Sequence, residues 1–189
     1  MFKGARIVKK DFDIPAVRIG LIKQIPIGAG LGGGSADATF VLKGLNELFK
    51  LNLTSTQLAK YAAQLGADCP FFIANKPVFA TGIGTEFTEI SLDLDEYHIA
   101  VIMPDIHVST AEAYSGVKPM LSDVNLEEAI RLPIQEWKFH IRNDFEESIF
   151  ERYPLLKEIK EALYHKGAIY TSMSGSGAAI YAIFGKRWI

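Results

Sequence analysis

The chain has a single cysteine, Cys69, so no intramolecular disulfide can form, and this usage suits a reducing cytoplasm. With Cys69 between Asp68 and Pro70 and no histidine close in sequence, small buried packing is its expected role. An excess of charge of either sign is also missing. The 20 basic and 22 acidic residues leave a formal charge of −2, so the chain has no basic footprint for nucleic acid or an acidic membrane surface. No apolar run approaches the ~20 residues that span a bilayer. Phe2–Lys10 reads as an amphipathic helix rather than a secretion signal. His107, His140 and His165 stand apart without ligand spacing, which argues against a histidine metal site. Neither an internal repeat nor a low-complexity segment is visible.

Glycine, by contrast, is concentrated in one place. Residues 28–34 contain five glycines, in the run Pro26-Ile27-Gly28-Ala29-Gly30-Leu31-Gly32-Gly33-Gly34-Ser35-Ala36-Asp37. A β-like run over residues 16–25 precedes it. An amphipathic helix follows from about Ser35, with Ala38, Val41, Leu42, Leu45, Leu48 and Phe49 on its apolar stripe. A glycine loop that enters a helix N-terminus offers free N–H groups and the positive end of the helix dipole to an anion, most often a phosphate. Ser35 is the expected cap. A Walker A loop is excluded, because the first lysine after the glycines is Lys43. Gly28, Gly30 and Gly33 match G-x-G-x-x-G, but a dinucleotide-binding turn needs a second strand after the helix, and here a second helix follows.

That second helix opens with capping-box spacing at Thr54 and Gln57, carries Leu58, Ala62 and Leu65 on one face, and stops at Gly66. Asp68 follows, just before Pro70 and the apolar Phe71-Phe72-Ile73, where partial burial is expected. From spacing alone, Asp68 is either a turn stabiliser or a carboxylate with a chemical task. Residues 77–90 read as two short strands around Gly82-Ile83-Gly84-Thr85. Residues 92–96 form an acidic connection and the best domain boundary, which gives domains over residues 1–95 and 96–189. The continuous apolar run 99–104 reads as a strand buried on both faces. Ser109 or Thr110 caps the next helix, Asn143-Asp144 caps another through Phe150, and Pro154 opens a third that ends near Gly167. A short strand at 169–172, a second small-residue loop at Ser174-Gly175-Ser176-Gly177, and a buried strand over 179–184 complete the chain. Together the two small-residue loops suggest backbone surfaces that converge on one polyphosphate.

Pro26-x-x-x-Gly30-Leu31-Gly32 and the small residues after it resemble the ATP loop of the galactokinase/homoserine kinase/mevalonate kinase superfamily. The fuller run P-I-G-A-G-L-G-G-G-S-A-D-A is similar to one branch of it. Leu65-Gly66-Ala67-Asp68-Cys69-Pro70, Phe79-Ala80-Thr81-Gly82, Asn143-Asp144-Phe145-Glu146 and Met173-Ser174-Gly175-Ser176-Gly177-Ala178 match that branch in the same order. The resemblance implies two α+β domains, a ribosomal-protein-S5-like unit and a ferredoxin-like unit, with ATP in the cleft between them. It further implies an ATP- and Mg²⁺-dependent kinase that phosphorylates the 2-hydroxyl of 4-diphosphocytidyl-2-C-methyl-D-erythritol in the non-mevalonate route to isoprenoid precursors.

By the same resemblance, Pro26, Ile27, Gly28, Ala29, Gly30, Leu31, Gly32, Gly33, Gly34, Ser35 and Ala36 hold the nucleotide, and Ser35 is a weak candidate Mg²⁺ ligand. Asp68 is the catalytic base. Ser174, Gly175, Ser176 and Gly177 brace the phosphates, and Thr110, Gly82 and Gly84 lie on the substrate side. The alternatives are a sister kinase of mevalonate or homoserine type, and a non-catalytic nucleotide-binding domain. The family's P-x-K-x-N segment, whose lysine lies beside the transferred phosphate, is not found. Lys23 reads as a solvated strand-end residue and not as its substitute. The chain is therefore expected to be an N-terminal truncation, inactive alone and prone to self-association through the unpaired strand at 16–25.

Overall fold

A computed structural model describes residues 2–118 and 124–186. The chain divides into two compact units, one of Met1–Ile27 with Gly32–Ser91, the other of Gly28–Leu31 with Leu92–Ile189. Each contains helices and antiparallel strands, so the architecture is α+β.

The first unit contains α1 (Phe2–Asp11), α2 (Gly33–Leu48), α3 (Ser55–Ala63), α4 (Phe71–Ala74) and the hairpin β1 (Val78–Thr81) with β2 (Glu86–Glu89). The stripe expected of α2 is its buried face. Ala38, Leu42 and Leu45 pack with Val8 of α1, Leu58 and Ala62 of α3, and Cys69, while Leu48 at the end of the helix is exposed. Thr54 and Gln57 form the capping box that starts α3. Cys69 is a buried thiol in this core, as its sequence setting predicts.

Two expectations fail here. The run at 16–25 has no strand geometry, and Leu21 and Ile22 are exposed. β-propensity cannot form a ladder without a neighbouring strand to accept and donate the hydrogen bonds, and none of the described strands pairs with this run. With Leu21, Ile22 and Ile27 facing solvent, the purified chain is expected to self-associate at micromolar concentration. Sedimentation velocity checks this, and a clean monomer would refute it.

The second unit holds β3 (Tyr97–Ile102), α5 (Thr110–Gly116), α6 (Leu126–Ala129), α7 (Ile134–His140), α8 (Glu146–Arg152), α9 (Pro154–His165), β4 (Tyr170–Met173) and β5 (Ile180–Gly185). Its sheet is antiparallel in the order β3-β5-β4. The central strand, β5, is the buried one: Ile180, Ala182 and Phe184 join Leu156, Leu163, Ile149 and Met173 in the main core. Ile183 packs instead on Trp137 and Tyr170. The second failed expectation is β3. It is an edge strand with Ile99 and Val101 exposed, not a strand buried on both faces. An unbroken apolar run reports hydrophobicity but not the strand's place in the sheet. Among the described residues no helix is long and apolar enough to cross a membrane.

Candidate active site

Gly28, Gly30 and Gly32 have φ of +78°, +75° and +65°. This left-handed backbone is cheap only for glycine. It turns the chain into α2 at Gly33, with Gly32 as the N-cap and no side-chain cap bond. Ser35 is therefore not the cap. It lies inside the first turn, and the left-handed Gly32 closes the helix start through its own carbonyl, which accepts from the Ala36 N–H. A helix that begins at Gly33 leaves the N–H groups of Gly33, Gly34 and Ser35 without intrahelical acceptors. A methyl group added at Gly34 would meet nothing within 4 Å. The start of α2 is thus open backbone with its dipole's positive end exposed, which fits a phosphate group.

Lys23 departs from its expected solvated state. Its ammonium donates to Asp37 Oδ2 at 2.6 Å, and both side chains are largely covered. A methyl group at Gly33 would lie 3.0 Å from Lys23 Nζ, so the cation stands at the first turn of α2. A cation beside the positive end of a helix is unfavourable until anions offset it, and Asp37 supplies one.

Gly28–Leu31 belongs to the second unit, and the contacts explain why. Ser174 Oγ donates to the Gly30 carbonyl at 2.8 Å, and the Ala179 N–H donates to the Ala29 carbonyl at 3.1 Å. A methyl group at Gly30 would collide with the Ser174 carbonyl and lie 2.8 Å from that of Gly177. A methyl group at Gly28 would stand 2.8 Å from the His107 ring. The two small-residue loops singled out in the sequence are therefore in direct contact. Asn143 does not cap α8, which starts from Phe145; its amide instead donates to the Met173 and Gly175 carbonyls.

Asp68 sits in the turn between α3 and α4 and is exposed, against the expectation of partial burial. Its neighbour Cys69 takes the buried position, and the buried Thr39 hydroxyl of α2 donates to the Cys69 carbonyl at 2.8 Å. The turn that carries Asp68 is thereby pinned to α2, the helix with the open N-terminus. Gly82 and Gly84, with φ of +64° and +82°, make the β1–β2 turn of the first unit.

Thr110 is the first residue of α5 in the second unit, after Ser109, whose side chain accepts from the Glu112 N–H. Glu112 is held by Arg152 and the Tyr153 hydroxyl. The Arg152 guanidinium above all, and then that hydroxyl, keep its carboxyl below the ordinary carboxylate range. Among the described residues no group of three His, Cys, Asp or Glu side chains could hold a metal ion. The glycine-rich signal in the sequence located the loops, whereas Lys23, His107 and Asn143 have no local signature that tells a loop contact from a surface residue.

A glycine-lined helix N-terminus flanked by a lysine, in a two-unit α+β chain, can receive an anion such as phosphate. Residues 1–76 match the family described as GHMP kinases N terminal domain, and residues 126–187 match GHMP kinases C terminal. The chain belongs to the GHMP kinase family. The 4-diphosphocytidyl-2-C-methyl-D-erythritol kinase of Bacteroides fragilis is 52% identical over 182 residues, which cover 96% of this chain and 66% of that protein. The Parabacteroides distasonis protein of the same name is 48% identical, over 98% of this chain and 69% of its own length. The chain thus spans about two thirds of the length of these relatives. A crystal structure of 4-(cytidine 5'-diphospho)-2C-methyl-D-erythritol kinase aligns with a TM-score of 0.71 at 32% identity, over 85% of this chain and 59% of the solved one. A homoserine kinase from Cytophaga hutchinsonii shares the fold at 17% identity and a TM-score of 0.61.

Proposed function

We propose that this protein is an ATP-dependent kinase that phosphorylates the 2-hydroxyl of 4-diphosphocytidyl-2-C-methyl-D-erythritol. The observation that carries the reading is the glycine loop, seated through Ala29 and Gly30 on the loop after β4 and opening into the uncapped N-terminus of α2. The substrate assignment rests on relatives of that name at 48–52% identity.

Phosphoryl transfer asks mainly for positioning and charge stabilisation. When bound, Mg-ATP supplies the transferable phosphoryl group and neutralises charge on its oxygens. Residues Pro26 to Ala36 cradle the nucleotide with backbone N–H groups, those of Gly33, Gly34 and Ser35 being free to donate. The Lys23 ammonium adds positive charge at the same turn. Ser35 is the one candidate hydroxyl ligand from the loop for Mg²⁺, which would neutralise charge on the phosphate oxygens. Asp68, exposed and on a pinned turn, accepts the proton of the attacking hydroxyl. Ser174 to Gly177 brace the nucleotide loop, and Thr110, Gly82 and Gly84 face the substrate.

The test is ATP-dependent phosphorylation of 4-diphosphocytidyl-2-C-methyl-D-erythritol, with mevalonate and homoserine as competing acceptors. It is run on this chain and on a form extended to the length of the relatives. Transfer to the cytidine-linked substrate alone supports the proposal. Transfer to mevalonate or homoserine instead assigns a sister kinase, and nucleotide binding without transfer by either form assigns a non-catalytic domain.

A further inference from the structure

The second unit contains a polar cluster with no part in the phosphoryl-transfer chemistry. Glu146, only 9% exposed, is paired with Lys160. Its Oε1 accepts from the Met173 N–H at 2.7 Å and from Ser172 Oγ at 3.1 Å. Three residues earlier, the Asn143 amide nitrogen donates to the Met173 carbonyl at 2.9 Å and the Gly175 carbonyl at 2.7 Å. Asn143 Oδ1 accepts from the Phe145 N–H at 3.0 Å, which fixes the plane of the amide.

A buried ion pair does not exist for stability, since well-packed apolar residues of the same volume do as well or better. Apolar side chains cannot, however, supply an acceptor for the Met173 N–H or donors for two loop carbonyls. Met173 is the last residue of β4, opposite Ile180 at the end of the ladder, and Gly175 lies just beyond it. Asn143 and Glu146 grip positions 173 and 175 from one side. Between them, Ser174 projects its hydroxyl onto the Gly30 carbonyl at 2.8 Å, and the Ala179 N–H takes the Ala29 carbonyl at the far end of the same loop.

We infer that Asn143 and Glu146 are positioning residues for the glycine loop. By fixing the backbone on both sides of Ser174, they hold Ala29 and Gly30 in the conformation that presents the loop's N–H groups. The consequence for nucleotide binding rests on the proposed kinase reading, but the mechanical link does not.

The experiment is amide hydrogen exchange on the chain and its Asn143→Ala, Asn143→Asp and Ser174→Ala variants, with binding of a fluorescent ADP analogue measured alongside. Asn143→Asp keeps the acceptor for Phe145 N–H and turns the two donor contacts into repulsion between oxygens, so it releases the grip on the loop should the alanine disturb the turn. In each variant the Ala179 amide is expected to exchange about tenfold faster relative to β5 amides, the scale of one lost hydrogen bond. The Asn143→Ala/Ser174→Ala double variant is expected to loosen Ala179 no further than either single change, because both break one chain of contacts. Loss of ADP-analogue affinity by about tenfold in the same variants would extend the link to the ligand. Unchanged Ala179 protection, uniform loss across β5, or additive effects in the double variant would overturn the inference. If neither the unsubstituted chain nor the extended form binds nucleotide while Ala179 responds as described, the kinase reading fails and the positioning role stands.

Discussion

Gly30→Ala is expected to detach the glycine loop and lower nucleotide affinity by about 10–10²-fold, while the chain remains folded. Strain and a clash drive the detachment, and two hydrogen bonds are what it loses. The φ of +75° at Gly30 charges an L-residue about 1–2 kcal/mol. A methyl group there meets the backbone carbonyls of Ser174 and Gly177, which cannot swing away as a flexible side chain would. Detachment also breaks the Ser174–Gly30 and Ala179–Ala29 bonds, each worth about 0.5–1.5 kcal/mol. The strain and the clash are relieved once the loop detaches, so the loss is that of the two bonds, about 1–3 kcal/mol, and it falls on the docked loop and not on the cores, because Gly30 contributes to neither of them. Gly34→Ala is the contrast. Its methyl group meets nothing, and alanine in a helix is about 0.5–1 kcal/mol better than glycine, so thermal stability is expected to hold or rise. Calorimetric titration with ADP together with thermal melts checks the pair. Equal affinity in Gly30→Ala and the unsubstituted chain would mean that the docked loop is not the nucleotide loop.

Parts of the fold that depend on local chemistry were legible in the sequence. The α2 stripe through Ala38, Leu42 and Leu45, the Thr54–Gln57 box, the turn at Gly82–Gly84 and Pro154 at the first position of α9 are each decided within one or two helical turns. The errors came where a distant partner decides. Residues 16–25 have strand composition but no strand beside them, and β3 is apolar yet lies at the edge of its sheet. Ser35 has the chemistry of a cap, but the left-handed Gly32 ends the loop earlier.

The candidate site divides the same way. Glycine clusters announce loops, since they are where backbone must approach something closely. That Gly28 meets His107, that Lys23 pairs with Asp37, and that Asn143 reaches across 30 residues to the Met173 carbonyl are tertiary facts with no local signature. Asn143-Asp144 reads locally as a helix cap, and the whole run Asn143-Asp144-Phe145-Glu146 is marked by resemblance. The structure supplies its physical content: an amide and a carboxylate three residues apart that hold one loop by its carbonyls and its N–H.

Asp68→Asn is expected to reduce turnover by about 10²–10⁴-fold, the range of a single general base, with nucleotide affinity and melting temperature unchanged. The separation follows from the turn's construction. Cys69, not Asp68, occupies the buried position, and the Thr39 hydroxyl anchors the turn through the Cys69 carbonyl. Asparagine keeps the size and the turn-forming capacity of aspartate and removes the charge and the proton-accepting oxygen. A loss confined to kcat therefore marks chemistry, whereas a loss shared with stability marks a structural part. The assay uses whichever form, this chain or the extended one, transfers phosphate to 4-diphosphocytidyl-2-C-methyl-D-erythritol. Thr39→Val serves as the control for turn position. It leaves the Asp68 carboxylate intact and strips the anchor, so the melting temperature is expected to fall, with loss of activity secondary to displacement of the turn. Asp68→Asn turning over at the unsubstituted rate would remove the base role and leave Asp68 as a turn residue.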